Sequence, residues 1–583
     1  MRSRRRLDCV GILFIVLVFL VAGCSSPAAA PTQAPAAAPT QAPAAPTTAA
    51  PAQPTAPAAQ PTTAAAAPAG GGATITVGDV FFLAPGSGPP NVGSFFDHRV
   101  ASQLYDGLTA WDAAAIARGE AAVPIGGLAE SWQTSDDGKT FTFTIRPNVK
   151  FSTGRPVTAD AVKKSFERAV AAIKKADAVA RYSWITLIQS LEAPDQSTFR
   201  MTLSDPYAPL LAVLASNEFK IVDVEEVMAH EQEGDLGVAW LNDHSAGTGP
   251  FMIQEFVAEQ RLVMQKNPNY WGGPDGVQPT VDRIIVVHVP EAATRQLMIG
   301  TGELDVALGM DPISLKTLQT NPDVTVKMFP AATTCNFLID LRIDVLEKNH
   351  PKVYQALRYA TDYEGLKNVV AGGLGEVQQS QFLPGMLGYD EKISHYYTYD
   401  PEKAKQLLAE AGLADGFPLK IASRDGSCGA VTYGKAVEYW QQNLTAVGIK
   451  AEIYQSTSAA MWGAIGEGKF RDAGISALGV TYFDPDQPAS VRAVSESQLL
   501  GWKDVDPTAA DRAQELTEAG QRETDPAKRA AMYTEIAKLM VEGAPEMTFL
   551  QPVDPVVMRK NVSNPMAVPG AFPILFKYLQ KQG

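Results

Sequence analysis

Residues 25–72 read SSPAAAPTQAPAAAPTQAPAAPTTAAPAQPTAPAAQPTTAAAAPAGGG, without one charged or aromatic side chain. Such a stretch cannot bury enough apolar surface to offset the entropy of ordering it. Its prolines favour an extended polyproline II backbone, at about 3.1 Å per residue, so it is a semi-stiff spacer reaching on the order of 150 Å. Its threonines are candidates for O-glycosylation. The spacer divides the chain into a short leader, a tether and a body from residue 73 to residue 583. A body of this length exceeds what one hydrophobic core serves, so two or more domains are expected.

The leader has a basic start (Arg2, Arg4, Arg5, Arg6) and an apolar run over residues 10–22. That run is shorter than the roughly 20 residues of a membrane span, and it fits a secretory signal. Val21-Ala22-Gly23-Cys24 resembles a bacterial lipobox, which implies cleavage before Cys24 and lipid on that residue, with residues 1–23 as the signal peptide. Losing four Arg and one Asp with the leader takes the formal charge from −14 to −17. An acidic, tethered body is a poor match for nucleic acid, whose phosphates require a basic face. Of four cysteines, Cys9 leaves with the leader and Cys24 takes lipid, so Cys335 and Cys428 remain. They are either one disulfide, which an extracytoplasmic compartment permits, or two separately buried thiols.

Strand and helix signals alternate along the body. SDDGKTFTFTIRPNVKF predicts a hairpin, with the turn at Asp136-Asp137-Gly138-Lys139 and Phe141, Phe143 and Ile145 on one face. VTADAVKKSFERAV predicts a helix capped by Thr158, with Val162, Phe166 and Val170 along one side. DPEKAKQLLAEAGL predicts another, with Asp400 as cap, Pro401 at the first helical position and Gly412 as the stop. RIIVVHV, VTVKMF, FPLKIA and IKAEIY read as strands, so mixed α/β sheets are expected.

Enzyme chemistry finds little footing. GAVTYGKA (429–436) matches seven positions of a phosphate-binding loop but places Ala436 where a Ser or Thr hydroxyl must meet Mg²⁺. His98, His230, His244, His288, His350 and His395 are scattered and show no metal-ligand spacing. There is no G-x-S-x-G elbow. No cofactor and no metal are expected, and the chain is read as a non-enzyme.

LYDGLTAWD (104–112), the block at 127–170, GTGPF (247–251), NPNYWGG (267–273), GELDVA (302–307), ALRYATDYEGL (356–366) and DPEKAKQLLAEAGL (400–413) occur in that order. Together they resemble the bacterial extracellular solute-binding proteins of family 5, the dipeptide-, oligopeptide- and nickel-binding lipoproteins of ABC importers. The resemblance covers essentially the whole body. It implies an α/β, two-lobed periplasmic-binding-protein fold, class II-like, with the extra subdomain of the peptide-binding group. Lobe 1 would be 73–331, with the extra subdomain at 107–245. Lobe 2 would be 332–550, with 551–583 returning to lobe 1. The chain would then be a lipid-anchored monomer outside the cytoplasm, in a periplasm or cell-wall space. It would capture a solute between its lobes and deliver it to an ABC permease. Tyr270 and Trp271 are expected mainly as packing between subdomains.

By the same resemblance, GVTYFDPDQPAS (479–490) leaves a central strand of lobe 2 and faces the cleft. Peptide-binding members place an aspartate three residues before the acid-proline pair to hold the ligand's ammonium, and here that position is Thr481. Threonine accepts a hydrogen bond but cannot neutralise a buried cation. Asp484 or Asp486 either takes over the ammonium or closes the turn at Pro485. Tyr482 and Phe483 would point to opposite faces if the strand continues. Trp462 is either a second aromatic wall or helix packing. Asn336 and Cys335 lie on the strand entering lobe 2, near the expected hinge, and Cys428 lies in a loop that can edge the cleft. Peptide is the first ligand class and oligosaccharide or a nickel chelate the alternatives. A sensor presenting ligand to a membrane receptor is the rival of a different class.

Overall fold

Apolar runs from distant parts of the body meet in one large sheet. The computed structural model describes residues 73–79, 98–118, 120, 122–176, 182–567 and 574–582. The signal peptide, Cys24 and the spacer fall outside these. Twelve strands make the sheet: β1 (Thr74–Asp79), β2 (Phe251–Val257), β3 (Arg261–Lys266), β4 (Arg283–His288), β5 (Val306–Ala307), β6 (Val324–Pro330), β7 (Thr333–Ile339), β8 (Gly375–Val377), β9 (Pro418–Arg424), β10 (Lys450–Ser456), β11 (Ala473–Gly479) and β12 (Glu546–Arg559). Their order is β10-β9-β11-β7-β12-β5-β1-β4-β3-β2, with β6 and β8 also paired to β12.

β12 belongs to two sheets in succession. Its early residues pair antiparallel with β7 and β8, and its later residues with β6 and β5. The chain crosses the same line in the opposite direction where β6 runs into β7. At this crossing the Ala331 amide donates to the Pro552 carbonyl at 2.9 Å, and the Gln551 side-chain amide donates to the Ala331 carbonyl at 2.8 Å. The apolar cores divide at the same line. One surrounds Phe337, Trp440 and Phe549 on the β7 side, and another surrounds Ile75, Met264 and Val556 on the β1 side. The two sides are called the second and first lobes below.

A third core belongs to a four-stranded antiparallel sheet set into the first lobe: Ala129–Thr134, Thr140–Ile145, Thr198–Leu203 and Ile188–Glu192 in spatial order. The predicted hairpin is present, with Gly138 at φ +70°, a left-handed turn position where glycine is unstrained. The helix Ala159–Lys175 covers this sheet, and the Thr158 hydroxyl accepts from the Ala161 amide at 3.2 Å as an N-cap should. Phe166 stacks on Phe199 with centroids 5.4 Å apart. The helix Pro401–Glu410 likewise begins at Asp400, whose carboxylate accepts from the Lys403 amide at 2.8 Å.

Candidate functional site

The site lies where β11 ends. Val480 is held by its amide to the Ala332 carbonyl, 2.8 Å away. The chain then leaves the sheet and bends through residues 481–484 before a short helix, Asp486–Pro488. Thr481 is half-buried and faces a cavity whose remaining walls come from the first lobe. Tyr105, Trp111, Tyr270 and Tyr578 supply aromatic faces, and Asp106 and Lys220 supply one charge of each sign.

Local sequence explains how these walls are held. Gly247 and Gly249 of GTGPF pack against the end of the helix His98–Leu104. A methyl at Gly247 would sit 2.2 Å from the Leu104 carbonyl oxygen, and one at Gly249 2.4 Å from the Leu104 carbonyl carbon. The close approach lets Thr248, between them, donate its hydroxyl to Asp106 Oδ2 at 2.8 Å. The same oxygen accepts from Trp271 Nε1 at 2.8 Å. Trp271 therefore fixes the Asp106 carboxylate from behind, with the Arg146 guanidinium 5.3 Å from the centre of its ring, while its neighbour Tyr270 lines the cavity.

Two lysines reach the same space. Lys577 is a neutralised cation: its ammonium lies 2.8 Å from Asp275 and 4.6 Å from the centre of the Tyr578 ring. Lys220 is buried, and that burial lowers its pKa to about 8, with Asp106 partly opposing the shift. It donates to the Ala215 carbonyl at 3.4 Å.

The acids of the 479–490 stretch are occupied elsewhere. Asp484 makes a two-pronged ion pair with Arg529, at 2.6 and 2.8 Å, and accepts from the Asp486 amide at 2.9 Å. Asp486 is buried and meets only neutral donors. Its Oδ2 accepts from Tyr207 and Tyr482, each at 2.9 Å. Its Oδ1 accepts from Ser490 at 3.0 Å and Gln521 at 2.9 Å. Burial first, and the Asp484 charge second, push the Asp486 carboxyl above the ordinary carboxylate range. Both acids thus serve the protein's own structure, and neither is placed to neutralise a ligand ammonium.

Other expected site residues are also placed differently. Tyr482 and Phe483 do not alternate, because the strand stops at Gly479. Tyr482 packs on the subdomain core, and Phe483 packs against Trp111, Ala212 and Ala215. Trp462 lies on the helix Ser458–Gly466, against Met461, Ile465 and Phe470, away from the cavity. Asn336 is fully buried; its carbonyl oxygen accepts from Gln381 at 3.1 Å and Thr548 at 2.9 Å. A central strand position near a crossing had suggested access, but the side chain points into the second lobe. Cys335 and Cys428 are joined as a disulfide, with Cα atoms 5.7 Å apart. GAVTYGKA forms the tight hairpin Ser427–Cys428 with Val431–Thr432, then the helix Tyr433–Ala446. Among the described residues no cluster of His, Cys, Asp and Glu could hold a metal, and no helix is long and apolar enough to cross a membrane.

Sequence reasoning had quoted LYDGLTAWD and NPNYWGG as family marks without seeing that Asp106, Trp111 and Tyr270 line the cavity. Lys220 carried no motif at all. Its one signal is a lysine in the otherwise apolar company of Phe219, Ile221 and Val222.

Two α/β lobes joined by two strand crossings, with a cavity between them and an extra subdomain on one, define a binding protein of the periplasmic type. Comparison with known proteins agrees. Residues 123–495 match the model for "Bacterial extracellular solute-binding proteins, family 5 Middle", and the chain belongs to that family. It is a transport binding protein, not an enzyme. It is 29% identical to the "Probable D,D-dipeptide-binding periplasmic protein DdpA" of Escherichia coli (strain K12), over 76% of this chain and 82% of that protein. It is also 29% identical to Di/tripeptide-binding protein 2 of Pseudomonas aeruginosa (strain UCBPP-PA14), over 79% and 86% of the two chains. The fold is similar to that of NikA from Brucella suis in complex with Fe(III)-EDTA, with a TM-score of 0.74 at 21% identity, covering 87% of this chain and all of that one.

Proposed function

We propose that this chain is the substrate-binding lipoprotein of an ABC importer. Lipid on Cys24 anchors it, residues 24–72 tether it, and the body closes on a solute. The lobes are taken as 73–331 with 551–583, and 332–550, with 107–245 as the extra subdomain. Capture by closure of two such lobes about their connections is a well-known hinge motion. The ligand class is peptide, handed to the permease by a monomeric binding protein.

The observation that carries this reading is the cavity between Thr481 and the first-lobe wall. Its aromatic faces accept apolar side chains, and Asp106 with Lys220 suits a ligand carrying both an ammonium and a carboxylate. The names of the two peptide-binding relatives support the same class. With Thr481 in the cavity and Asp484 and Asp486 withdrawn, recognition of the ammonium cannot come from this segment. That gap favours a second reading, an oligosaccharide stacked on the aromatic walls.

Native mass spectrometry of protein purified under gentle conditions tests both. An added mass assembled from amino-acid residues is the expected result. Hexose or pentose increments would replace peptide by sugar. Protein that shows no thermal shift with peptides, sugars or nickel chelates would overturn the capture role itself.

A further inference from the structure

The two lobes touch in two places with different chemistry. One is the crossing at residues 330–333 and 551–553, where the chain itself is continuous. The other is a polar contact between the extra subdomain and the loop that carries Thr481. There the Tyr207 hydroxyl donates to Asp486 Oδ2 at 2.9 Å, and the Ala208 amide donates to the Gln521 carbonyl at 2.7 Å. Tyr207 is buried, and its ring lies parallel to Trp184, 6.3 Å away. Burial and the Asp486 charge push its phenol well above the ordinary range, so it stays a donor.

The second-lobe side is built to receive it. Arg529 fixes Asp484 from one direction and donates Nε to the Gly520 carbonyl at 2.8 Å, holding the helix end that presents Gln521. Asp484 in turn accepts the Asp486 amide. Three of the four donors to Asp486 come from its own lobe, namely Tyr482, Ser490 and Gln521. The fourth place on the carboxylate is filled from across the cleft. When lobes separate, a contact of this kind is exchanged for water, whereas the three others persist.

We propose that Tyr207 and Asp486 form a latch that holds the lobes closed and so positions Thr481 against the cavity. The proposal rests on the reading of the two lobes as a closing pair. Tyr207 and Asp486 act through Thr481 and are positioning residues. They set how long a captured solute is retained, not which solute is chosen.

The test is a distance measurement across the cleft on the full chain without added solute. Spin labels at Asp160→Cys and Asp511→Cys, both exposed, report the closed and open populations. Tyr207→Phe keeps the ring on Trp184 and removes the donor. It is expected to lower the closed-to-open ratio on the order of tenfold, as befits a hydrogen bond to a charged group. Asp486→Ala is expected to open the lobes at least as far, and adding Tyr207→Phe to it should change nothing more. Ser490→Ala removes a donor from within one lobe and should leave the ratio within twofold of wild type. Its melting temperature controls for simple destabilisation. Superimposable distributions for wild type and Tyr207→Phe, or an additive double variant, would overturn the latch while leaving solute capture intact. A wild-type distance that is single and fixed with and without the co-purified solute would overturn both.

Discussion

The extra subdomain and the second lobe bury different materials. In the subdomain, Phe143, Phe166, Phe199 and Phe219 stack in a chain of rings, with Trp184 edge-on to Phe219 at 4.7 Å. In the second lobe a polar network runs through the interior. Gln381 donates to Glu546 at 3.0 Å and to Asn336, Thr334 donates to Gln381 at 2.9 Å, and Arg358 donates to the Glu546 carbonyl at 2.9 Å. Arg492 lies between Glu546 and Glu496. The apolar core tolerates small shifts of volume at modest cost, while a polar interior is stable only when every partner is present. The subdomain is thus held by shape and the second lobe by completeness.

Arg492→Ala should break the second lobe's side of this contrast most severely. It strips the cation from two carboxylates, one of them almost wholly buried, and costs about 3–5 kcal/mol. Replacing Arg492 with Met and Glu546 with Gln together should cost less than Arg492→Ala alone, because no uncompensated charge remains. Urea unfolding of both variants measures the difference. Phe199→Ala should cost about 3–4 kcal/mol through the cavity it leaves, with no dependence on pH. The second lobe should behave otherwise. Burial first, with Glu496 also contributing, raises the Glu546 carboxyl from 4.5 to about 8, against the pull of Arg492. The folded protein then holds a proton that the unfolded chain has released. This contribution to stability is whole below pH 4.5 and is lost as pH rises towards 8. Glu546→Gln should flatten that slope, which cannot exceed one proton, or about 1.4 kcal/mol per pH unit. The smallest effect belongs to Thr158→Ala, which removes an N-cap from the subdomain helix and should cost about 1 kcal/mol, seen as a small fall in melting temperature.

The contrast also marks what could be read in advance. The subdomain core is written at local period. Phe141, Phe143 and Ile145 alternate along a strand, and Val162 and Phe166 recur along a helix, so strand, helix and cap could all be placed from neighbours a few residues apart. The network at Glu546 draws on residues 336, 358, 381 and 492, and no period connects them. The loop at 479–490 shows both cases. Its position at the end of β11 and the substitution at Thr481 were legible through family resemblance. The fate of Asp484 was not, because Arg529 lies 45 residues further on, and Tyr207, which meets Asp486, lies 279 residues away. Tyr482 and Phe483 were misassigned for a simpler reason: alternation holds only while the chain remains a strand.

β12 carries a consequence for the order of assembly. It pairs with β7 and β8 in one lobe and with β5 and β6 in the other, and only 37 residues follow its first residue, Glu546. Neither lobe can complete its sheet until nearly the entire polypeptide is available, and pairing across so much sequence is slow. Most of this chain therefore waits, without its central strand, for its last fourteenth part to arrive. A truncation that spares the whole cavity wall up to Thr481 but removes β12 would leave two incomplete sheets and no hinge.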